Sequence, residues 1–171
     1  ACIARLAQEL RGQHLNAILC GPDEASLQAA VLVRAQAGGR IRALAALGEV
    51  NVGLWEGMRL GELEERYPSA LRQWRADPTT IAIPNGEPIG EASARITGEL
   101  RRVLARARSE RPIAILLRPL ARAISECWLR GLPLSGLWGV VESAPEAAWF
   151  TIERPGLRAG EWRAADLAKA S

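Results

Sequence analysis

Apolar positions along this chain follow two different periods. Three short, mostly apolar runs, Asn16-Ala-Ile-Leu-Cys20, Ile41–Leu47 and Ile113-Ala-Ile-Leu-Leu117, read as strands, the first of them as a buried parallel strand. Between them the apolar residues recur at helical spacing, as on one face of a helix. Ile3, Leu6, Ala7 and Leu10 share a face within residues 1–11, with Gly12 as the C-terminal cap. Asp23 caps a helix running to about Ala37, which Gly38-Gly39 ends. Leu60–Arg66 and Ser69–Ala76 are short helices separated by Pro68, the second turning Leu71 and Trp74 inward. Thr79–Pro88, with Pro84, Gly86 and Pro88, reads as loop. Glu91–Arg108 is a long amphipathic helix with Ala92, Ile96, Leu100, Val103 and Leu104 on one face. Pro119 suits the first turn of a helix to about Arg130, closed by Gly131. Leu137–Glu142, Trp149–Glu153 and Trp162–Asp166 read as closing strands, the last two as an antiparallel hairpin.

Strands that alternate with helices predict an α/β fold: a three-layer α/β/α arrangement around a mostly parallel sheet, with residues 1–171 as a single domain. Ligands bind such sheets beyond the carboxyl ends of the strands. That rule selects residues 21–24, 48–57 and 118–120. The middle segment carries the most chemistry: Glu49, Trp55 and three glycines (Gly48, Gly53, Gly57) lie within Ala46–Gly57.

Composition narrows the function classes. The 171 residues are 49% hydrophobic and 24% charged, a globular balance rather than a disordered one. No apolar run approaches the ~18 residues of a membrane span, and no signal peptide precedes the fold, so a cytoplasmic protein without membrane contacts is expected. Cys2, Cys20 and Cys127 are scattered and odd in number, which argues for reduced thiols and against a disulfide framework or a zinc site. No metal or cofactor is expected. The net charge of +3 comes almost wholly from arginine, because Lys169 is the only lysine. Nine arginines lie between Arg95 and Arg130, against Glu99, Glu110 and Glu126. Trp128 is the only aromatic residue within that span, so the cluster reads as a solvated helix face rather than a nucleic-acid patch. His14, the sole histidine, precedes the first strand and therefore lies at the end of the sheet opposite the expected ligands.

Several stretches resemble the histidine phosphatase superfamily, the phosphoglycerate-mutase-like proteins. Asn16-Ala-Ile-Leu-Cys-Gly-Pro22 resembles the strand ending in Ser-Pro ahead of the family's Arg-Ala-x-Gln-Thr-Ala helix. Gly48-Glu-Val-Asn-Val-Gly-Leu-Trp-Glu-Gly57 resembles the Arg-Glu-x-x-x-Gly-x-Trp-Glu-Gly loop. Leu63, Tyr67-Pro68, Trp74 and Gly86-Glu87 continue the likeness, as do Leu129-Arg-Gly-Leu-Pro-Leu134 with Trp138 and the strand around Trp162. The resemblance implies a phosphoglycerate-mutase-like fold. It also implies a site in which one histidine, from an Arg-His-Gly motif, attacks phosphorus. A second histidine and two arginines hold the phosphoryl group, and a glutamate protonates the leaving group. On that pattern Glu49 holds the general-acid position. Arg118 stands at the second-histidine position, with Leu117-Arg118-Pro119-Leu120 in place of Ser-His-Gly-Gly, and Ala25 stands where a phosphate-binding arginine is expected. The chain opens at Ala1 and its only methionine is Met58, so the strand with the Arg-His-Gly motif is expected to be missing ahead of it.

Three readings of function follow. The first is a catalytically inactive histidine-phosphatase-like domain, a pseudoenzyme acting as a binding or structural module. Its residual pocket would take a phosphate or carboxylate at Arg118, beside a helix N-terminus. The acidic pair Asp23-Glu24 opposes such a ligand, and Arg118 could instead pair with Asp23 or Glu49 and close the pocket. The second is a phosphomonoester phosphatase or phosphoglycerate-mutase-like enzyme whose nucleophilic histidine lies upstream. The third is a scaffold or homo-oligomer subunit whose missing strand comes from a protein partner or another copy. Glu49 is accordingly either an inherited general acid or a carboxylate that holds its turn by hydrogen bonds.

Overall fold

The computed structural model describes residues 2–107, 111–143, 150–152 and 164–166; for Cys2, Ile3, Arg5 and the last two segments it describes the backbone. The sheet is built on β1 (Ala17–Cys20), an all-apolar strand in which every residue is buried. β1 lies between β2 (Arg40–Ala43) and β3 (Ile113–Leu116), and all three run parallel. Ile18 pairs with Ile41 on one side and with Ala114 on the other.

Alternation along β1 sends its side chains into two cores. Ile18 and Cys20 pack with α1 (Cys2–Glu9) and α2 (Glu24–Ala37) through Ala7, Leu10, Ala30 and Val33. Leu19 packs on the opposite face with α5 (Ile89–Arg106), α6 (Pro119–Arg130) and α7 (Leu137–Ser143) through Ile96, Leu100, Ile124 and Leu137. These are the expected three layers. A third cluster sits outside them, where α3 (Leu60–Arg66) and α4 (Pro68–Ala76) follow the β2 loop. There Trp55 meets Trp74 edge-on at 5.4 Å between ring centroids, and Trp74 meets Trp138 at 5.0 Å. Such edge-to-face pairs anchor packing.

Local signals explain the helix ends that matter for the site. The Asp23 carboxylate accepts the Ser26 amide at 3.0 Å and caps α2. Pro119 opens α6, and Gly131, left-handed at φ 68°, closes it. Among the described residues no helix is long and apolar enough to cross a membrane.

Two expectations need correction. Leu137–Glu142 is not a strand but most of α7. Leu137 and Val140, three residues apart, are the positions it buries against the α5–α6 layer, so helical spacing wins over a run that is apolar without clear period. The strand expected at Ile41–Leu47 ends at Ala43, and Ala45–Leu47 tightens into a 3-10 turn. The closing hairpin is present as β4 (Phe150–Ile152) antiparallel to β5 (Ala164–Asp166), while Trp149 and Trp162 lie outside the described residues.

The two edges of the parallel sheet differ. β2 presents exposed Arg40 and Arg42, the charged side chains that blunt a natural edge. β3 is apolar throughout and half-buried throughout, and among the described residues only β1 pairs with it.

Candidate functional site

The carboxyl ends of β1, β2 and β3 bring together the three loops that the sequence selects. Gly21 shows how closely they meet: a Cβ there would stand 3.1 Å from the Leu47 carbonyl and 3.0 Å from the Asp23 carboxylate. Glu49, half-buried, reaches from the β2 loop to the start of α6. Its Oε1 accepts the Ala121 amide at 2.9 Å and its Oε2 the Leu120 amide at 3.2 Å. Oε1 also accepts the Val50 amide at 2.9 Å. The first turn of a helix carries N–H groups without intrahelical partners, and here a side chain 72 residues away satisfies two of them. Glu49 is therefore the N-terminal cap of α6, because the residue in the cap position itself, Arg118, makes no side-chain cap bond.

Arg118 instead turns to Asp23, with Nη1 4.0 Å from Oδ1 and half of its side chain exposed. The two interactions differ in strength. An exposed pair at that distance is worth about 0–1 kcal/mol, whereas hydrogen bonds to a charged acceptor contribute about 1.5–3 kcal/mol each. Asp23 holds its own place firmly, since it also accepts the Ser26 hydroxyl at 2.6 Å. Burial works against its charged form, but the Ser26 hydroxyl and amide and the Arg118 charge together hold its carboxyl below the usual aspartate range. Cys20, just behind at the end of β1, has its thiol pushed up by burial and by the Asp23 charge.

The β2 loop is held from further out. The Arg95 fork donates Nε and Nη2 to the two oxygens of Glu87 at 2.8 and 2.7 Å, and Nη1 to the carbonyls of Ala46 and Gly48 at 2.9 and 3.1 Å. The Glu87 amide donates to the Asn51 carbonyl at 2.8 Å. Residues 84–86 lie so close to Gly53 that a Cβ on it would stand 2.2 Å from the Pro84 carbonyl oxygen. Sequence reasoning missed Arg95 and counted it with the surface arginines. Its signal was position, three residues after Ala92 and next to Ile96 on the apolar stripe of α5, where a cation needs a partner. His14 lies before β1, exposed, at the end opposite Glu49, Asp23 and Arg118. Trp55 and Trp74 are buried in the aromatic cluster rather than turned to the strand ends.

Acid should loosen this clasp. The Arg95 hydrogen bonds hold the Glu87 carboxyl below the usual glutamate range, outweighing partial burial, with the Arg95 charge and the Asn51 contact adding to the effect. A lowered folded-state value means that the unfolded chain binds more protons. The stability gained is full above the ordinary carboxylate range and is lost as pH falls through the lowered value. Urea midpoints should therefore drop on acidification below that range. Glu87→Gln should be less stable at neutral pH and show a shallower acid loss.

The profile of the histidine phosphatase superfamily (branch 1) matches residues 1–164. The chain belongs to that superfamily. As a superfamily member it is 28% identical over 133 residues to phosphoserine phosphatase 1 of Hydrogenobacter thermophilus, a match covering 78% of this chain and 63% of the relative's length. Among solved structures, YhfR of Bacillus stearothermophilus superposes with a TM-score of 0.81 at 22% identity, over 99% of this chain and 82% of that one. A mycobacterial glucosyl-3-phosphoglycerate phosphatase superposes with a TM-score of 0.79 at 19% identity, over 96% and 83%. Likenesses at that identity establish the phosphoglycerate-mutase-like fold of this superfamily member. The profile match bears out the superfamily resemblance carried by the Gly48–Gly57 loop.

Proposed function

We propose that residues 1–171 form a histidine-phosphatase-like module that does not itself turn over phosphomonoesters, and whose residual pocket holds a small oxyanion at Arg118. The observation that carries this reading is the use of the chain's own carboxylates at the strand ends. Glu49 fills the N–H groups that open α6, and Asp23 faces the guanidinium of Arg118. Ala25 is exposed in the first turn of α2, where the resemblance places a phosphate-binding arginine, and offers no cation. His14 is at the wrong end of β1 to attack anything bound there. Of the two carboxylates, Asp23 is the one an oxyanion can displace, because its pair with Arg118 is long and half-exposed. Inorganic phosphate is expected to bind weakly, in the millimolar range. Removing the competing charge with Asp23→Asn, which still caps α2, is worth about 1 kcal/mol and should tighten binding about fivefold. Arg118→Ala should abolish it. Calorimetric titration checks both, and affinities unchanged in the two variants would overturn the pocket assignment.

A second reading is favoured by the contrast between the sheet edges. β3 is apolar and half-exposed where β2 is guarded by arginines. A strand added there by polypeptide outside these residues would complete the sheet. On this reading the protein is a phosphatase or phosphomutase whose nucleophilic histidine lies on that strand, with Glu49 as its acid. Pairing of β3 with its own copy is less suited: an antiparallel match of Ile113 with Leu116 would set Arg111 opposite Arg118, and like charges directly opposite each other destabilise.

A further inference from the structure

The Glu49 carboxylate belongs to a loop with little regular structure, yet it meets two amides of a different element at hydrogen-bond distance. Something must fix the loop. Three of its carbonyls are held from outside: Ala46 and Gly48 by Arg95 at 2.9 and 3.1 Å, and Asn51 by the Glu87 amide at 2.8 Å. These carbonyls bracket Glu49 on both sides. Arg95 and Glu87 are in turn locked to each other through both carboxylate oxygens. The arginine stands on α5, an 18-residue helix packed on the sheet, so the clamp has a rigid base. A planar fork with donors at fixed angles suits this task, since it can grip a carboxylate and two carbonyls at once.

We infer that Arg95, locked by Glu87, is the positioning residue of the pocket: it sets the 46–51 loop so that the Glu49 carboxylate stays on the Leu120 and Ala121 amides. This rests on reading Glu49 as the pocket carboxylate. It does not depend on whether the pocket binds phosphate or hydrolyses an ester.

Amide hydrogen exchange by NMR on the whole protein tests it. In Arg95→Met, exchange at Val50, Leu120 and Ala121 should rise about tenfold, while the β1 amides of Ile18 and Leu19 change less than about twofold, because only a local opening becomes easier. Arg95→Lys keeps the charge but loses the fork and should recover only part of the protection. Glu87→Gln, which removes charge without changing shape, should move the same three amides in the same direction and serves if Arg95→Met does not fold. Unchanged exchange at Leu120 and Ala121 would overturn the inference. So would equal acceleration at Ile18 and Leu19, which would make Arg95 a general stabiliser. Phosphate titration with Arg118→Ala judges the pocket separately, so the two can fail independently.

Discussion

Replacing Gly53 by valine should cost the protein more than about 3 kcal/mol, the largest loss expected from a single change in the loop. A Cβ at this position would lie 2.2 Å from the Pro84 carbonyl oxygen, 2.4 Å from the Gly86 nitrogen and 2.6 Å from the Asn85 carbonyl carbon. All three are backbone atoms, so no side chain can swing aside. The residue also sits at φ 53°, which a β-branched side chain resists. The loops cannot simply part, because the Leu54 amide donates to the Pro84 carbonyl at 3.1 Å and the Glu87 amide to the Asn51 carbonyl at 2.8 Å. Gly57 supplies the control. It too has a positive φ, of 76°, but a Cβ there would meet nothing within 4 Å. Gly57→Ala should therefore cost only about 1 kcal/mol from backbone strain. Urea denaturation of the two variants checks the contrast. Equal midpoints would show that the 51–53 and 84–87 loops are not in contact.

Glu49→Ala should rank second, at about 2–3 kcal/mol. It leaves the Leu120 and Ala121 amides without their acceptor at the start of α6 and removes a negative charge from a helix N-terminus. Glu49→Gln keeps one oxygen in place and should recover roughly half of that loss, the remainder reflecting charge. The denaturant slope should stay constant across the series, since none of these changes alters the surface that folding buries. A Glu49→Ala protein as stable as the wild type would mean that the carboxylate is not the cap of α6.

What the sequence disclosed of this site depended on how far apart the partners lie. The apolar runs at Asn16–Cys20 and Ile113–Leu117 had no competing period, and both are strands. Glu49 stood out as a carboxylate in a glycine-rich loop, but its destination on α6 amides 71 and 72 residues later was not legible, because backbone donors leave no residue-specific mark. The sequence offers Asp23 and Glu49 alike as partners of Arg118, since all three follow strand ends at one end of the sheet, and the structure gives Arg118 to Asp23. The role of Arg95 could not be foreseen. Its partners lie 8 residues away at Glu87 and 47 to 49 residues away on two carbonyls. Leu137–Val141 misled because five residues with four large apolar side chains fit a strand or one turn of a buried helix, and only packing against α6 decides.

The same distinction separates fold from chemistry. The Gly48–Gly57 loop carries the superfamily resemblance largely on residues that serve packing in this chain. Gly53 admits the 84–86 backbone, and Trp55 anchors the aromatic cluster. Catalysis depends on other positions. On the reading we propose, Arg118 and Ala25 stand at those positions, and Glu49 and Asp23 take up the Ala121 amide and the Arg118 guanidinium.

Hydrolysis of p-nitrophenyl phosphate by the 171-residue protein tests that account most directly. The expected result is no release above that of buffer, unchanged by Glu49→Gln, with the protein folded by circular dichroism. Sustained turnover that Glu49→Gln abolishes would contradict it and make Glu49 a working general acid.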